Sequence, residues 1–230
     1  MNVQISPSLM CMNFLHLQEQ ITCLNTRADY FHVDIMDGHF VKNLALSTDF
    51  VKAIAPIAKL PLDCHLMVTD PADYVDPLID AGAEWICMQS ETIVAQAFRL
   101  IDHIHARGKK AGVVLSPETL FDAIRHYVNK VDKITVMTVD PGFAGQNFIA
   151  EMLDKIAEIR AYKEKTGAKF LIEVDGSCNK NTYQRLRAAG AEILIVGSSG
   201  LFGLDKNLEK AWEKMAQIYE EETGESLCAK

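Results

Sequence analysis

Apolar residues along this chain follow two alternating rhythms. Short β-rich runs occur at Gln4–Met10, Tyr30–Met36, Leu62–Val68, Trp85–Met88, Lys110–Leu115, Lys133–Val139, Phe170–Asp175 and Ile193–Val196. Near-continuous apolar runs of this length are what strands buried on both faces show. Between them, amphipathic stretches predict helices over Leu15–Asn25, Pro71–Ala81, Ala95–Arg107, Leu120–Val128 and Met152–Thr166. The pairs Ala81-Gly82, Arg107-Gly108 and Ala189-Gly190 fit helices closed by a C-terminal glycine. Strands alternating with helices predict a parallel α/β sheet, and eight strands is the closing number of a (β/α)8 TIM barrel. An open doubly wound sheet is the alternative, but it rarely needs so many units. A chain of 230 residues suits one barrel domain over residues 1–220, followed by a polar tail over 221–230 that is expected to fray from about Glu220.

Polar residues break this apolar pattern at particular places. In Tyr30-Phe31-His32-Val33-Asp34-Ile35-Met36, His32 and Asp34 fall on one strand face and Val33 and Ile35 on the other. A buried carboxylate without a partner is costly, and a divalent cation is the simplest compensation. His65 interrupts Pro61-Leu62-Asp63-Cys64-His65-Leu66-Met67 in the same way, and Asp175 ends Phe170–Asp175. Two histidines and two aspartates on separate buried strands form a donor set for zinc, iron(II), cobalt or manganese. Taken singly, each has a plainer reading: a hydrogen-bonded core histidine, or an aspartate opening a turn. In a barrel, however, Ser8, His32, Asp34, His65 and Asp175 all fall toward the C-terminal strand ends, where this fold carries its chemistry.

Glycine-rich turns follow the last three β runs. They are Asp140-Pro141-Gly142-Phe143-Ala144-Gly145-Gln146, Asp175-Gly176-Ser177-Cys178 and Gly197-Ser198-Ser199-Gly200. Barrels often bind phosphate at these loops through backbone amides and a helix N-terminus. With no Arg or Lys in the three segments, the cradle is expected to use amides, hydroxyls and helix dipole. Composition adds exclusions. A formal net charge of −8 argues against nucleic acid or an anionic membrane as partner. No apolar run approaches the roughly 18 residues of a membrane span, and the start lacks a secretory pattern. Six cysteines without a CxxC pair point to reduced thiols in a cytoplasmic protein. Of these, Cys64 and Cys87 read as core residues, and Cys178 is placed to touch a ligand.

The segments Ser6-Pro7-Ser8, His32-Val33-Asp34-Ile35-Met36-Asp37-Gly38, Asp63-Cys64-His65-Leu66-Met67, Asp140–Gln146 and Glu173-Val174-Asp175-Gly176 resemble the ribulose-phosphate 3-epimerase family, in order, from about residue 3 to 215. The resemblance implies a ribulose-phosphate-binding type of TIM barrel and an isomerase that inverts C3 of a ketose phosphate through a cis-enediolate. It implies one divalent metal ion (Zn, Co, Mn, Fe or Mg), held by His32, Asp34, His65 and Asp175 on the substrate's C2 and C3 oxygens. Asp34 and Asp175 become the paired acid and base, and Met36, Met67 and Met137 a soft wall against water. Implied substrate contacts are Ser8, His65, Gly142, Phe143, Ala144, Gly145, Gly176, Ser177, Gly197, Ser198 and Ser199. The implied partner is a small sugar phosphate, and the implied assembly a homo-oligomer, dimer or hexamer.

Within the family, Ser8-Leu9-Met10-Cys11-Met12, Thr135–Asp140 and Asp175-Gly176-Ser177-Cys178-Asn179 are most similar to the branch that interconverts D-allulose 6-phosphate and D-fructose 6-phosphate. Pentulose-phosphate members typically carry a second glycine where Ser177 stands, and D-ribulose 5-phosphate to D-xylulose 5-phosphate is the alternative reaction. Asp63 and Glu173 share strand faces with His65 and Asp175 one layer deeper, and are expected to orient the ligands from below or to form a structural pair. Two other classes remain in view. Metal-assisted hydrolysis would need an open, wet metal position, against which the methionines argue. A silent phosphosugar-binding barrel would show a lost ligand, and all four are present.

Overall fold

The structure, a computed structural model, describes residues 2–227. The apolar runs form eight strands: β1 (Gln4–Pro7), β2 (Phe31–Met36), β3 (Leu62–Met67), β4 (Trp85–Gln89), β5 (Lys110–Leu115), β6 (Lys133–Met137), β7 (Leu171–Asp175) and β8 (Ile193–Val196). All are parallel, in the order β1-β8-β7-β6-β5-β4-β3-β2. β1 and β2 meet through the single bridge Ser8–His32, aided by Asp29, whose backbone N–H donates to Ile5 O and whose carboxylate accepts from Ile5 N. The result is the (β/α)8 barrel that the alternation predicts, with one thin seam.

Seven α-helices cover it: α1 (Leu17–Leu24), α2 (Thr48–Ile54), α3 (Ala72–Ala81), α4 (Ala97–Ala106), α5 (Met152–Thr166), α6 (Tyr183–Ala189) and α7 (Leu208–Thr223). Ser47 and Asn207 cap α2 and α7 by accepting from backbone N–H groups of their first turns. Gly82 and Gly190 end α3 and α6 at φ 114° and 119°, a left-handed conformation that glycine takes without strain. Outward-facing Val33, Ile35, Cys64, Leu66, Ile134, Val136, Ile172 and Val174 are buried under this helical layer. No helix among the described residues is long and apolar enough to cross a membrane.

Three expectations need correction. The stretch read as one helix over Leu120–Val128 is two 3₁₀ turns, Phe121–Ile124 and Val128–Lys130. Buried Phe121, Ile124 and Val128 do line one side, but the backbone bonds run between residues three apart, as in Tyr127 N to Ile124 O. The first and sixth strands stop short: β1 ends at Pro7, and β6 at Met137, because the chain must turn there to build the mouth. At the C-terminal end, the chain stays ordered past Glu220. Helix α7 continues to Thr223, held by buried Tyr219, and Glu225 is bound by Arg187 and by the Tyr219 hydroxyl. The rest of the tail beyond residue 227 lies outside the described residues.

Candidate metal centre and the cleft above it

His32 and Asp34 enter the barrel interior from β2, two residues apart on one face. The β2–β3 register sets His65 opposite Asp34 and Asp63 opposite His32. Asp175 is the last residue of β7, opposite Met137. Curvature of the sheet brings these strand ends together, so that one donor atom from each of His32, Asp34, His65 and Asp175 lies within 4.8 Å of the others. His32 Nε2 is 3.2 Å from Asp34 Oδ1 and 3.8 Å from Asp175 Oδ2. His65 Nδ1 is 3.6 Å from each of those oxygens.

Both imidazole nitrogens that face this cluster have no hydrogen-bond partner although they are buried. Buried polar atoms are nearly always satisfied, and two bare nitrogens converging with two carboxylate oxygens form a two-nitrogen, two-oxygen donor set. The residues fit a divalent cation. Charge within the cluster points the same way. Burial alone would raise the Asp34 carboxyl, but His32 and His65 hold it far below the usual carboxylate range. Burial likewise opposes charge on His32, yet Asp34, Asp63 and Asp175 lift it well above its ordinary value. A cation entering here replaces these protons.

Three of the four clustered side chains are held by a neighbour outside the cluster. The Ser8 hydroxyl donates to Asp34 Oδ2 at 2.8 Å. His32 Nδ1 is 3.2 Å from Asp63 Oδ2, so Asp63 sits beneath His32 rather than beneath its own strand-mate His65. The Gln89 amide lies 3.0 Å from His65 Nε2. The Gln89 amide nitrogen is the atom that faces Nε2, and its oxygen accepts from the Ser116 hydroxyl at 3.4 Å; an amide turned the other way would accept Nε2–H and leave the Nδ1 lone pair for a metal. Glu173 reaches no ligand. Burial, then the charge of Asp63, pushes its carboxyl up to about 7, and it pairs with Lys133 Nζ and the Thr135 hydroxyl. His32, Asp63 and Glu173 also lie close enough together to hold an ion. The Lys133 ammonium already occupies the space between the two carboxylates.

Lys133 and Gln89 are the site residues that sequence reasoning missed. A lysine at the first position of a strand usually faces solvent, so its inward direction gave no signal. Gln89 lay one residue past the expected end of its strand.

Above the centre opens a narrow cleft with an internal volume of about 70 Å³. Asp34 and Asp175 form its floor with Ser8, while His32 and His65 stand behind them. Met10, Met36, Met67 and Met137 wall it. The loops after β6, β7 and β8 bring Gly142, Phe143, Ala144, Gly145, Gly176, Ser177, Gly197, Ser198 and Ser199 to the rim, with no Arg or Lys among the lining residues. Cys178 lies against this cleft, but its thiol is buried on Val174 O; Cys11, half-buried, also lines it. The segment after β8 is a five-residue π turn, Ser198–Phe202, rather than the start of a regular helix, so it offers amides but little dipole. The rim is laced together: Ser177, at φ 49°, donates its hydroxyl to Gln146 O at 2.6 Å, Asn43 donates to Gly142 O, and Asn179 to the Ser199 hydroxyl.

Fold and site thus define a (β/α)8 barrel able to hold a divalent metal at its C-terminal mouth, directly beneath a narrow cleft. Residues 4–202 match the model of the Ribulose-phosphate 3 epimerase family, and the chain belongs to that family. It is 39% identical to the ribulose-phosphate 3-epimerase of Bacillus subtilis (strain 168), over 86% of this chain and 91% of the relative. It is 34% identical to that of Aquifex aeolicus (strain VF5), over 93% and 96%. With the chloroplastic ribulose-5-phosphate-3-epimerase of Arabidopsis thaliana the identity is 38%, over 88% and 72%. Among solved structures, 3-hexulose-6-phosphate synthase from Salmonella typhimurium superposes with a TM-score of 0.69 over 96% of this chain and all of that one, at 17% identity, a likeness of fold alone. The protein is an isomerase, a sugar-phosphate 3-epimerase by family.

Proposed function

We propose that this enzyme interconverts D-allulose 6-phosphate and D-fructose 6-phosphate by two-base proton transfer at C3. The observation that carries the chemistry is the pairing of Asp34 and Asp175, the two carboxylates of the metal-binding cluster, as the charged floor of the cleft. They reach it from strands on different sides of the barrel, so a sugar lying between them presents opposite faces of C3 to the two. One carboxylate takes the C3 proton and the other delivers a proton from the far side. The Ser8 hydroxyl and the two imidazoles fix Asp34 as it works. The methionine wall keeps water from quenching the planar intermediate. A divalent cation held by His32, Asp34, His65 and Asp175 supplies Lewis-acid stabilisation of the oxygen charge that develops.

Support for the hexulose phosphate is the resemblance at Ser177-Cys178-Asn179, where Ser177 takes a left-handed conformation beside the catalytic Asp175 and reaches across to Gln146. The names of the relatives favour the second reading, D-ribulose 5-phosphate. Side-by-side measurement of kcat/KM on both substrates decides. A higher value for allulose 6-phosphate supports the proposal, and a higher value for ribulose 5-phosphate makes the pentulose phosphate the substrate. No turnover of either removes the epimerase reading.

We place the phosphate at the amides and hydroxyls of Gly176, Ser177, Gly197, Ser198 and Ser199. A Cβ at Gly197 would meet Cys11 Sγ at 3.2 Å, so a branched side chain there has to crowd the rim. Gly197→Val is expected to raise KM several-fold for the phosphorylated sugar while metal content stays at the wild-type level. Unchanged KM puts the phosphate elsewhere.

A further inference from the structure

The barrel interior one layer below the metal-binding cluster holds a charged group that proton transfer at C3 does not use. Lys133 Nζ, fully buried, lies 2.6 Å from Asp63 Oδ2 and 2.9 Å from Glu173 Oε1, and 4.9 Å from the centroid of the Trp85 ring. Lysine is among the residues least often buried completely, and here it links three strands. Asp63 Oδ2, the atom that meets Lys133, is also the atom 3.2 Å from His32 Nδ1. The other Asp63 oxygen accepts the Cys87 thiol at 3.0 Å. The Thr135 hydroxyl, at 2.8 Å, anchors Glu173 in turn. A continuous chain of polar contacts therefore runs from Thr135 and Glu173 through Lys133 and Asp63 to the back of His32.

We infer that Lys133 is a positioning residue for the metal centre: it anchors the Asp63 carboxylate, which orients the His32 ring so that Nε2 faces Asp34 and Asp175. The inference rests on the metal-centre reading. A metal-bound histidine commonly donates its other N–H to a carboxylate, and loss of that partner costs about 10–100-fold in metal affinity or activity. Asp63 is the partner of His32, and among the described residues nothing else of opposite charge touches Asp63 from below. Without the ammonium, the carboxylate keeps only the imidazole and a weakly donating thiol, and the ring loses a fixed support. The bland alternative is that Lys133 merely neutralises two carboxylates for the sake of the fold.

Cobalt(II) titrated into the metal-free protein under chelator competition separates these readings. Two variants are compared with wild type, Lys133→Met and the pair Lys133→Met with Glu173→Gln. The pair removes the ammonium together with one of the two carboxylates it meets, which lessens the buried charge left behind if the single change does not fold. The expected result is cobalt affinity weaker by about 10–100-fold in both, with an altered visible cobalt spectrum, although the pair regains melting temperature lost by the single variant. Affinity and spectrum within twofold of wild type in either folded variant overturn the inference, as does restoration of both in the pair. A wild-type protein that takes up no cobalt removes the metal-centre reading itself, a different failure from a wild type and variants that bind equally well.

Discussion

Loaded with the same metal as the wild type, Asp175→Asn is expected to turn over substrate about 10²–10⁴-fold more slowly, the usual cost of losing a positioned acid or base. Asparagine preserves the shape of the side chain and one ligating oxygen, but carries no exchangeable carboxyl proton. Asp175 is the better of the two carboxylates to test because it ends its strand and is partly exposed, so the substitution disturbs little else. Asp34→Asn should lose at least as much, since Asp34 also balances His32 and His65 and accepts from Ser8. Hydrogen exchange at C3 gives the finer readout. With one base intact, a variant still exchanges the substrate's C3 proton with deuterated solvent from one face while epimerisation stops. Metal-loaded Asp175→Asn working near the wild-type rate would end the two-base assignment.

Stripping the metal with a chelator should abolish turnover and lower the melting temperature, and adding back a divalent cation should restore both. A ligand at 100 times its dissociation constant stabilises by about 2.7 kcal/mol. For a chain of this size each kcal/mol moves the midpoint by about 2–4 °C, so a shift of roughly 5–11 °C is expected. The pH dependence has a definite sign. His32 and His65 both hold protons more tightly than free histidine because of the carboxylates beside them. Those protons must leave before the nitrogens can ligate, so the metal-dependent part of the shift shrinks as pH falls. Equal melting curves with and without chelator, at a pH where the enzyme is active, would contradict a metal centre.

The interior and exterior of the barrel were legible to different degrees. Periodicity along single strands was enough for the eight-unit architecture and for the shared face of His32 and Asp34, because both depend only on residues close in sequence. The gathering of His65 and Asp175 around them followed once the barrel was assumed. Lateral partners did not follow. That Asp63 supports His32 rather than His65 depends on the register between β2 and β3. That Lys133 points inward depends on where β6 begins relative to the barrel floor. Tertiary packing also overrode local pattern at Leu120–Val128, where a short crossing between β5 and β6 takes up tight turns in place of a regular helix. Ser177 shows the reverse: its departure from glycine was visible in the sequence, but its grip on Gln146 was not.

A sheet rolled into a hoop gives way first where neighbouring strands share the fewest rungs. In this hoop the slit lies between β1 and β2, crossed by the Ser8–His32 bridge, the Asp29–Ile5 bonds and the Ser8 hydroxyl on Asp34. Three of the four side chains placed to hold a metal stand on one side of that slit, and Asp175 is reached from the other only by way of β1 and β8. Whatever these four side chains grip is therefore a rivet across the weakest line of the wall. A cation held there would stiffen the hoop, and prising the hoop open would loosen that hold, so losing the cation is expected to weaken this line of the wall first.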